Sequence, residues 1–271
     1  MIKAWADRSD LTLFETATGI GRYWLAYGAA VPAAIAGLAA GAAAGSRRTV
    51  VHVTSNLWAE LASGFTGIDM KVDGEEHLWS HRPCVFMFNH QSACEAFLCA
   101  RLLRRDVFAI AKKEVRDKPV IGPVMDLLGI VFIDRENRMS AIAALRPAVQ
   151  AIRGGRSMVI APEGTRSRDG RLGSFKKGGF HVAMQAGVPI VPIVFHDSIQ
   201  RLRPGSGIAR PGVVRISVLP PVPTKGWKPV DLERRMDDVR QLFLQTLGQK
   251  DSRGKPRSRR RARPARKVTE P

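Results

Sequence analysis

The stretch CVFMFNHQSACEAFLCARLLRR, residues 84 to 105, decides how the chain is read. Cys84 to Phe88 are all apolar, the pattern of a short strand covered on both faces. From Cys94 onward the apolar residues recur three or four apart, which lines one side of a helix. Asn89, His90, Gln91 and Ser92 lie between them as a polar hinge. A strand that passes through such a hinge into a helix is the repeating unit of an α/β sheet.

Downstream the alternation continues. VFAIA (107–111), IVFI (130–133), MVIA (158–161), PIVPIVF (189–195) and VVRISVL (213–219) read as strands. MSAIAALRPAVQAIRGG and KGGFHVAMQAG, between them, have helical spacing and glycines at their ends. The expected fold is therefore α/β, with a mixed, mostly parallel central sheet flanked by helices. In such sheets reactive groups gather beyond the carboxyl ends of strands, and Asn89 and His90, Arg135, and Pro162 to Arg166 all fall there.

Upstream, Tyr23 to Gly45 has no charged residue and is bracketed by Arg22 and by Arg47 and Arg48. The length suffices to span a bilayer, but Ala and Gly dominate and Pro32 interrupts, so a full crossing and a helix pressed into one leaflet both fit. A secretory signal is excluded by the long lead that contains Asp7, Asp10 and Glu15. In NLWAELASGF, Leu57, Leu61 and Phe65 give an amphipathic helix. The resulting division is a membrane-associated helical segment at 1–68, an α/β catalytic domain at 69–248 and a basic tail at 249–271.

The formal net charge of +19 predicts a preference for anions. Ten of the 43 Lys and Arg lie in the tail, yet the remainder still carries an excess of 11 positive charges. PRSRRRARPARK has almost nothing apolar to bury and reads as disordered, suited to acidic lipid headgroups, to nucleic acid, or to solubility alone. Nucleic-acid binding is disfavoured, because the tail lacks interleaved aromatics. The three cysteines, Cys84, Cys94 and Cys99, are odd in number and have no C-x-x-C spacing, which argues against a zinc or redox site and for a reduced, cytoplasm-facing location.

Three polar sites merit chemistry. His90 leaves a strand end where a helix begins, and Glu95 five positions later could hold its imidazole in one tautomer, as a general base requires. Spacing alone favours a capping or surface histidine, and the pairing requires His90 to precede the helix. APEGTRSRDG (161–170) places Glu163, Gly164, Thr165 and Arg166 after a strand, where Arg166 could hold a phosphate. Lys176 and Lys177 precede a helix start nearby, and Arg135 emerges from a third strand. No G-x-x-x-x-G-K-[ST], G-x-G-x-x-G, H-E-x-x-H or G-x-S-x-G occurs, which sets aside common nucleotide, metallohydrolase and serine hydrolase sites.

Four blocks, NHQSACE, KKEV...PVIGPVMDLLGIVFIDR, APEGTRS with FKKGGFHVA, and GVPIVPIVF, resemble in order the glycerolipid acyltransferases of the 1-acylglycerol-3-phosphate acyltransferase type. The resemblance implies transfer of an acyl chain from acyl-CoA or acyl carrier protein to the hydroxyl of a lysophospholipid at a membrane, with no cofactor and no metal. It makes His90 the base and Glu95 its partner. It assigns Arg135, Glu163, Gly164, Thr165 and Arg166 to the acceptor, with Lys176 or Lys177 as further phosphate support. The family usually has aspartate where this chain has Glu95, and Phe where it has Ala161. Altered activity is therefore expected. Glycerol 3-phosphate or another lysolipid as acceptor, and a catalytically impaired lipid-surface binder, are the alternative readings; an acyl-cysteine route through Cys94 is the internal rival.

Overall fold

The computed structural model describes residues 11–117, 121–133 and 145–251. Seven strands form one sheet: β1 (Ile68–Asp73), β2 (Val85–Phe88), β3 (Val107–Lys112), β4 (Val131–Ile133), β5 (Ser157–Ile160), β6 (Ile190–His196) and β7 (Gly212–Val218). Their spatial order is β1-β7-β6-β2-β5-β3-β4. Every neighbouring pair is parallel except β6 with β7. The expected sheet is present, with one strand more at its edge.

That extra strand is β1. Asp69, Lys71 and Asp73 point to solvent along it and Ile68 is fully buried, so it carries the polar alternation of an edge rather than the apolar run of a central strand. The central strands are covered on both sides. Phe86, Val191, Ile193 and Phe195 join one core layer with α4 (Glu95–Leu103). Val85, Met87, Met158 and Ile190 join the other, with α6 (Arg146–Arg153), α7 (Gly178–Ala186) and α8 (Leu232–Leu247). Alternate side chains of the same strand thus feed opposite layers.

At the amino end, α1 (Leu13–Gly28) and α2 (Ala30–Ala44) together make one apolar stretch, long enough to cross a membrane, that starts ten residues before the uncharged run. Thr12 caps it, accepting from the Glu15 amide while the Glu15 carboxylate accepts from the Thr12 amide. Pro32 sits in the first turn of α2, where no helical amide is needed, so it marks a junction instead of breaking a helix. Gly37 and Gly41 let α2 lie directly on α3 (Arg47–Thr66), because a methyl group there would overlap Thr54 and Val50. Trp24 and Leu25 on α1, and Val31, Ile35 and Leu38 on α2, remain exposed.

The last helix closes the structure. Leu232, Met236, Val239, Phe243 and Leu244 form its buried stripe, and Arg240 lies in that stripe at 1% exposure. Its guanidinium donates to the carbonyls of Gly173 at 3.0 Å and Leu172 at 3.3 Å, and Nη1 lies 2.9 Å from Asp251 Oδ1. Gln249 also accepts from the Leu172 amide at 2.9 Å and donates to Gly170 at 2.9 Å. Gln249 and Asp251, placed in the tail by sequence, are thus tied into the α/β domain; the rest of the expected tail lies outside the described residues.

Replacing Arg240 with Ala strips the Leu172 and Gly173 carbonyls of a buried donor and removes the ion pair of the guanidinium with Asp251. Unfolding in urea should show a loss of about 2–4 kcal/mol.

Candidate active site

His90 occupies the loop between β2 and α4, and α4 begins at Glu95 itself. The five-residue spacing therefore closes across a loop. His90 Nδ1 lies 2.7 Å from Glu95 Oε2, and the carboxylate is fully buried while the imidazole remains 22% exposed. With Nδ1 donating to Glu95, the other ring nitrogen carries the free lone pair. Phe88 packs edge-on against the imidazole, with ring centres 5.5 Å apart. Glutamate reaches despite its extra methylene.

The backbone of the same residue is gripped as well. His90 N donates to Glu163 Oε1 at 2.7 Å, and His90 O accepts from the Ser167 amide at 2.7 Å. Just before it, the side chain of fully buried Asn89 donates to Phe195 O at 3.0 Å and accepts from Phe195 N at 2.8 Å. An amide side chain thus extends the β2–β6 ladder by one rung and fixes the point from which the loop departs.

Glu163, expected at the acceptor, is bonded to backbone through both oxygens. Its second oxygen accepts from the Gly173 amide at 2.7 Å, and burial pushes its carboxyl above the usual range. It joins the loop after β5 to the histidine. Gly164 follows at φ 72°, a left-handed conformation that a side chain would strain, and its backbone lies against the Lys176 stem. The Lys176 amide donates to Pro162 O at 2.7 Å, which closes the loop on itself.

Thr165 and Arg166 are exposed on this loop. They line a cavity of about 510 Å³ together with Arg168, Arg171 and Ser174, and Glu163 and Ser167 form the part of its wall bonded to His90. Arg168 and Arg171 were legible in APEGTRSRDG and its continuation, but nothing in the spacing separated them from an ordinary basic loop. Lys177 is drawn elsewhere, to Glu233 of α8 at 2.7 Å. Arg135 lies outside the described residues. A second cavity of about 490 Å³, at the amino ends of β3 and β5, contains Arg47, Arg48, His52 and Arg156, with Arg48 already paired to Asp106 at 2.5 Å.

The carboxylate has partners that sequence did not suggest. Glu95 Oε1 accepts from the Ser198 hydroxyl at 2.5 Å and from the Gln91 amide at 2.9 Å. Ser198 follows β6, more than a hundred positions along the chain, so no local pattern could connect it with the histidine.

Residues 69–196 match the family model for an acyltransferase. The chain is 33% identical over 197 residues to a 1-acyl-sn-glycerol-3-phosphate acyltransferase of Limnanthes douglasii, covering 71% of this chain and 69% of that protein. It is 31% identical over 206 residues to the enzyme of that name from Saccharomyces cerevisiae, covering 75% and 68%. The crystal structure of the 1-acyl-sn-glycerophosphate acyltransferase from Thermotoga maritima superposes with a TM-score of 0.68 at 25% identity, over 91% of this chain and all of that one.

Cys94, beside Glu95, is fully buried, and burial pushes its thiol up to about 12, as it does for Cys84. A group so rarely ionised is a poor nucleophile. At pH 8 only about one molecule in ten thousand would hold the Cys94 thiolate at that pKa. Iodoacetamide at pH 8 should therefore leave turnover intact for as long as the protein stays folded, as assayed by residual activity after timed treatment.

Proposed function

This chain belongs to the acyltransferase family, and on that premise we propose that it moves a fatty acyl group from a thioester donor to the free hydroxyl of 1-acylglycerol 3-phosphate, giving phosphatidic acid. The observation that carries the reading is the 2.7 Å contact between a buried glutamate and a partly exposed histidine beside a cavity rich in arginine. A carboxylate on Nδ1 fixes the tautomer in which the outer nitrogen accepts a proton.

In the reaction proposed, that nitrogen takes the acceptor's hydroxyl proton as the oxygen attacks the thioester carbonyl. The tetrahedral intermediate collapses with cleavage of the carbon–sulfur bond, and the departing thiolate receives the proton back from the imidazolium. Product ester and free thiol leave, and His90 returns to its starting form. Glu95 stabilises the imidazolium that exists in between.

Arg166, Arg168 and Arg171 supply the charge that would hold the acceptor phosphate, with Thr165 as a further donor. A tethered phosphate brings the hydroxyl to the histidine and so replaces a collision with an arrangement already made. The donor is a fatty acyl thioester of coenzyme A or acyl carrier protein. Because Glu95 reaches His90, the reason for expecting an impaired, purely lipid-binding protein falls away.

The membrane is met through α1 and α2. Leu13, Phe14, Trp24, Leu25, Val31, Ile35 and Leu38 are exposed apolar side chains that lipid would cover. The inner side of α2 is packed along α3, whose Arg47, Arg48, Asn56 and Glu60 would have to enter hydrocarbon if α2 crossed the bilayer with it. The reading supported best is insertion into one leaflet, with the α/β domain on the cytoplasmic surface.

Thiol release from long-chain acyl-CoA, with lysophosphatidic acid, glycerol 3-phosphate and neutral lysolipids in parallel, tests the assignment. Release should be greatest with lysophosphatidic acid and should fall roughly 100- to 10,000-fold in His90→Ala; undiminished release in that variant would refute the base. Arg166→Ala should raise KM for the phosphorylated acceptor roughly 10- to 100-fold while leaving KM for acyl-CoA nearly unchanged. Flotation with liposomes should fail for Trp24→Glu/Leu25→Glu and succeed for the parent.

A further inference from the structure

Glu95 is bound by more groups than a histidine partner needs. Oε2 meets His90 Nδ1 at 2.7 Å and the Gln91 amide at 3.2 Å, while Oε1 meets the same amide at 2.9 Å and the Ser198 hydroxyl at 2.5 Å. The Gln91 amide straddles the carboxylate and does not distinguish one oxygen from the other. His90 and Ser198 do, one to each oxygen.

The distinction matters because this acid is a glutamate. Its terminal torsion is broad and nearly two-fold, and the extra methylene adds a rotation that aspartate lacks. A carboxylate held only by the histidine and a shared amide would swing about that bond. A hydroxyl on the far oxygen sets the plane and thereby the direction in which Oε2 faces Nδ1.

Ser198 is itself well placed to act as a fixed point. It begins the short 3-10 turn Ser198–Gln200, which follows β6 after Asp197 in the left-handed conformation, and it is fully buried. The Arg201 and Leu202 amides donate to its carbonyl at 3.0 and 3.3 Å. Ser92 in turn donates to Leu202 O at 2.6 Å and accepts from the Cys94 amide at 3.2 Å, which ties this turn to the start of α4. Donor and acceptor of the Ser198–Glu95 bond are thereby locked to each other through a second route.

We propose that Ser198 is a positioning residue that adapts this site to glutamate, by fixing the rotation of the Glu95 carboxylate so that His90 is held for proton transfer. The proposal rests on His90 acting as the base. The hydroxyl touches neither substrate nor reacting atoms and works only through Glu95.

Ser198→Thr and Ser198→Val form the informative pair, since they share a shape and differ in the hydroxyl. Each is purified in detergent, its thermal unfolding compared with the parent, and kcat and KM measured with acyl-CoA and lysophosphatidic acid. Ser198→Thr should retain most of kcat, and Ser198→Val should lose roughly 10- to 100-fold, with acceptor KM within about twofold. Glu95→Asp should cost kcat in the parent and distinctly less in the Ser198→Val background, because the partner it misaligns with is already gone. Equal kcat for Ser198→Thr and Ser198→Val, with His90→Ala inactive, overturns the role of Ser198 alone. Full turnover in His90→Ala overturns the base reading beneath it. If the valine side chain unfolds the protein, Ser198→Ala replaces it, and a folded alanine variant with parental kcat overturns the proposal equally.

Discussion

The architecture of the site depends on holding one histidine from three directions. Its amide is held by Glu163, its carbonyl by the Ser167 amide and its ring by Glu95. These partners come from the loop after β5 and from the first turn of α4, so the position of His90 is determined by how three parts of the fold meet. Asn89 adds a fourth constraint by extending the sheet to the residue before it. The proposed base, fixed in this way, has little freedom left to lose when substrate arrives, which is how a rigid scaffold can lower an activation barrier without touching the reacting atoms.

The division of labour between acids and arginines follows from burial. Glu95 and Glu163 lie inside, and both are spent on alignment; the arginines at 166, 168 and 171 stand outside on the same loop, where a charged ligand can reach them. A buried carboxylate must have its hydrogen bonds supplied by the protein, and here that need is met by the groups that also order the site. The large positive charge of the chain is therefore only partly a matter of the site. The basic residues beyond 251 add to that net charge as well.

Much of this was legible in the sequence because the signals were local. Runs such as CVFMF and PIVPIVF are apolar for the reason that central parallel strands are covered twice, and the hinge between Phe88 and Cys94 marked the strand-to-helix step. β1 escaped notice because an edge strand keeps polar residues, and α8 because its stripe includes a buried arginine. Lys177 looked like Lys176 in sequence, but only the fold shows Glu233 waiting beside it. Ser198 had no sequence signal at all: a hydroxyl acquires its meaning from a carboxylate more than a hundred residues away. Position along the chain carried the scaffold, whereas the arrangement of the charged groups came from long-range packing.

The clamp from α8 has a consequence in time. The loop at 170–173 is closed by Gln249, Arg240 and Asp251, and through Gly173 and Glu163 that closure reaches the amide of His90. These clamping residues are among the last of the described chain to leave the ribosome, long after the histidine and both glutamates. In chain order the apolar amino-terminal helices and the histidine therefore come first, and the residues that close the loop beside it come last among those described.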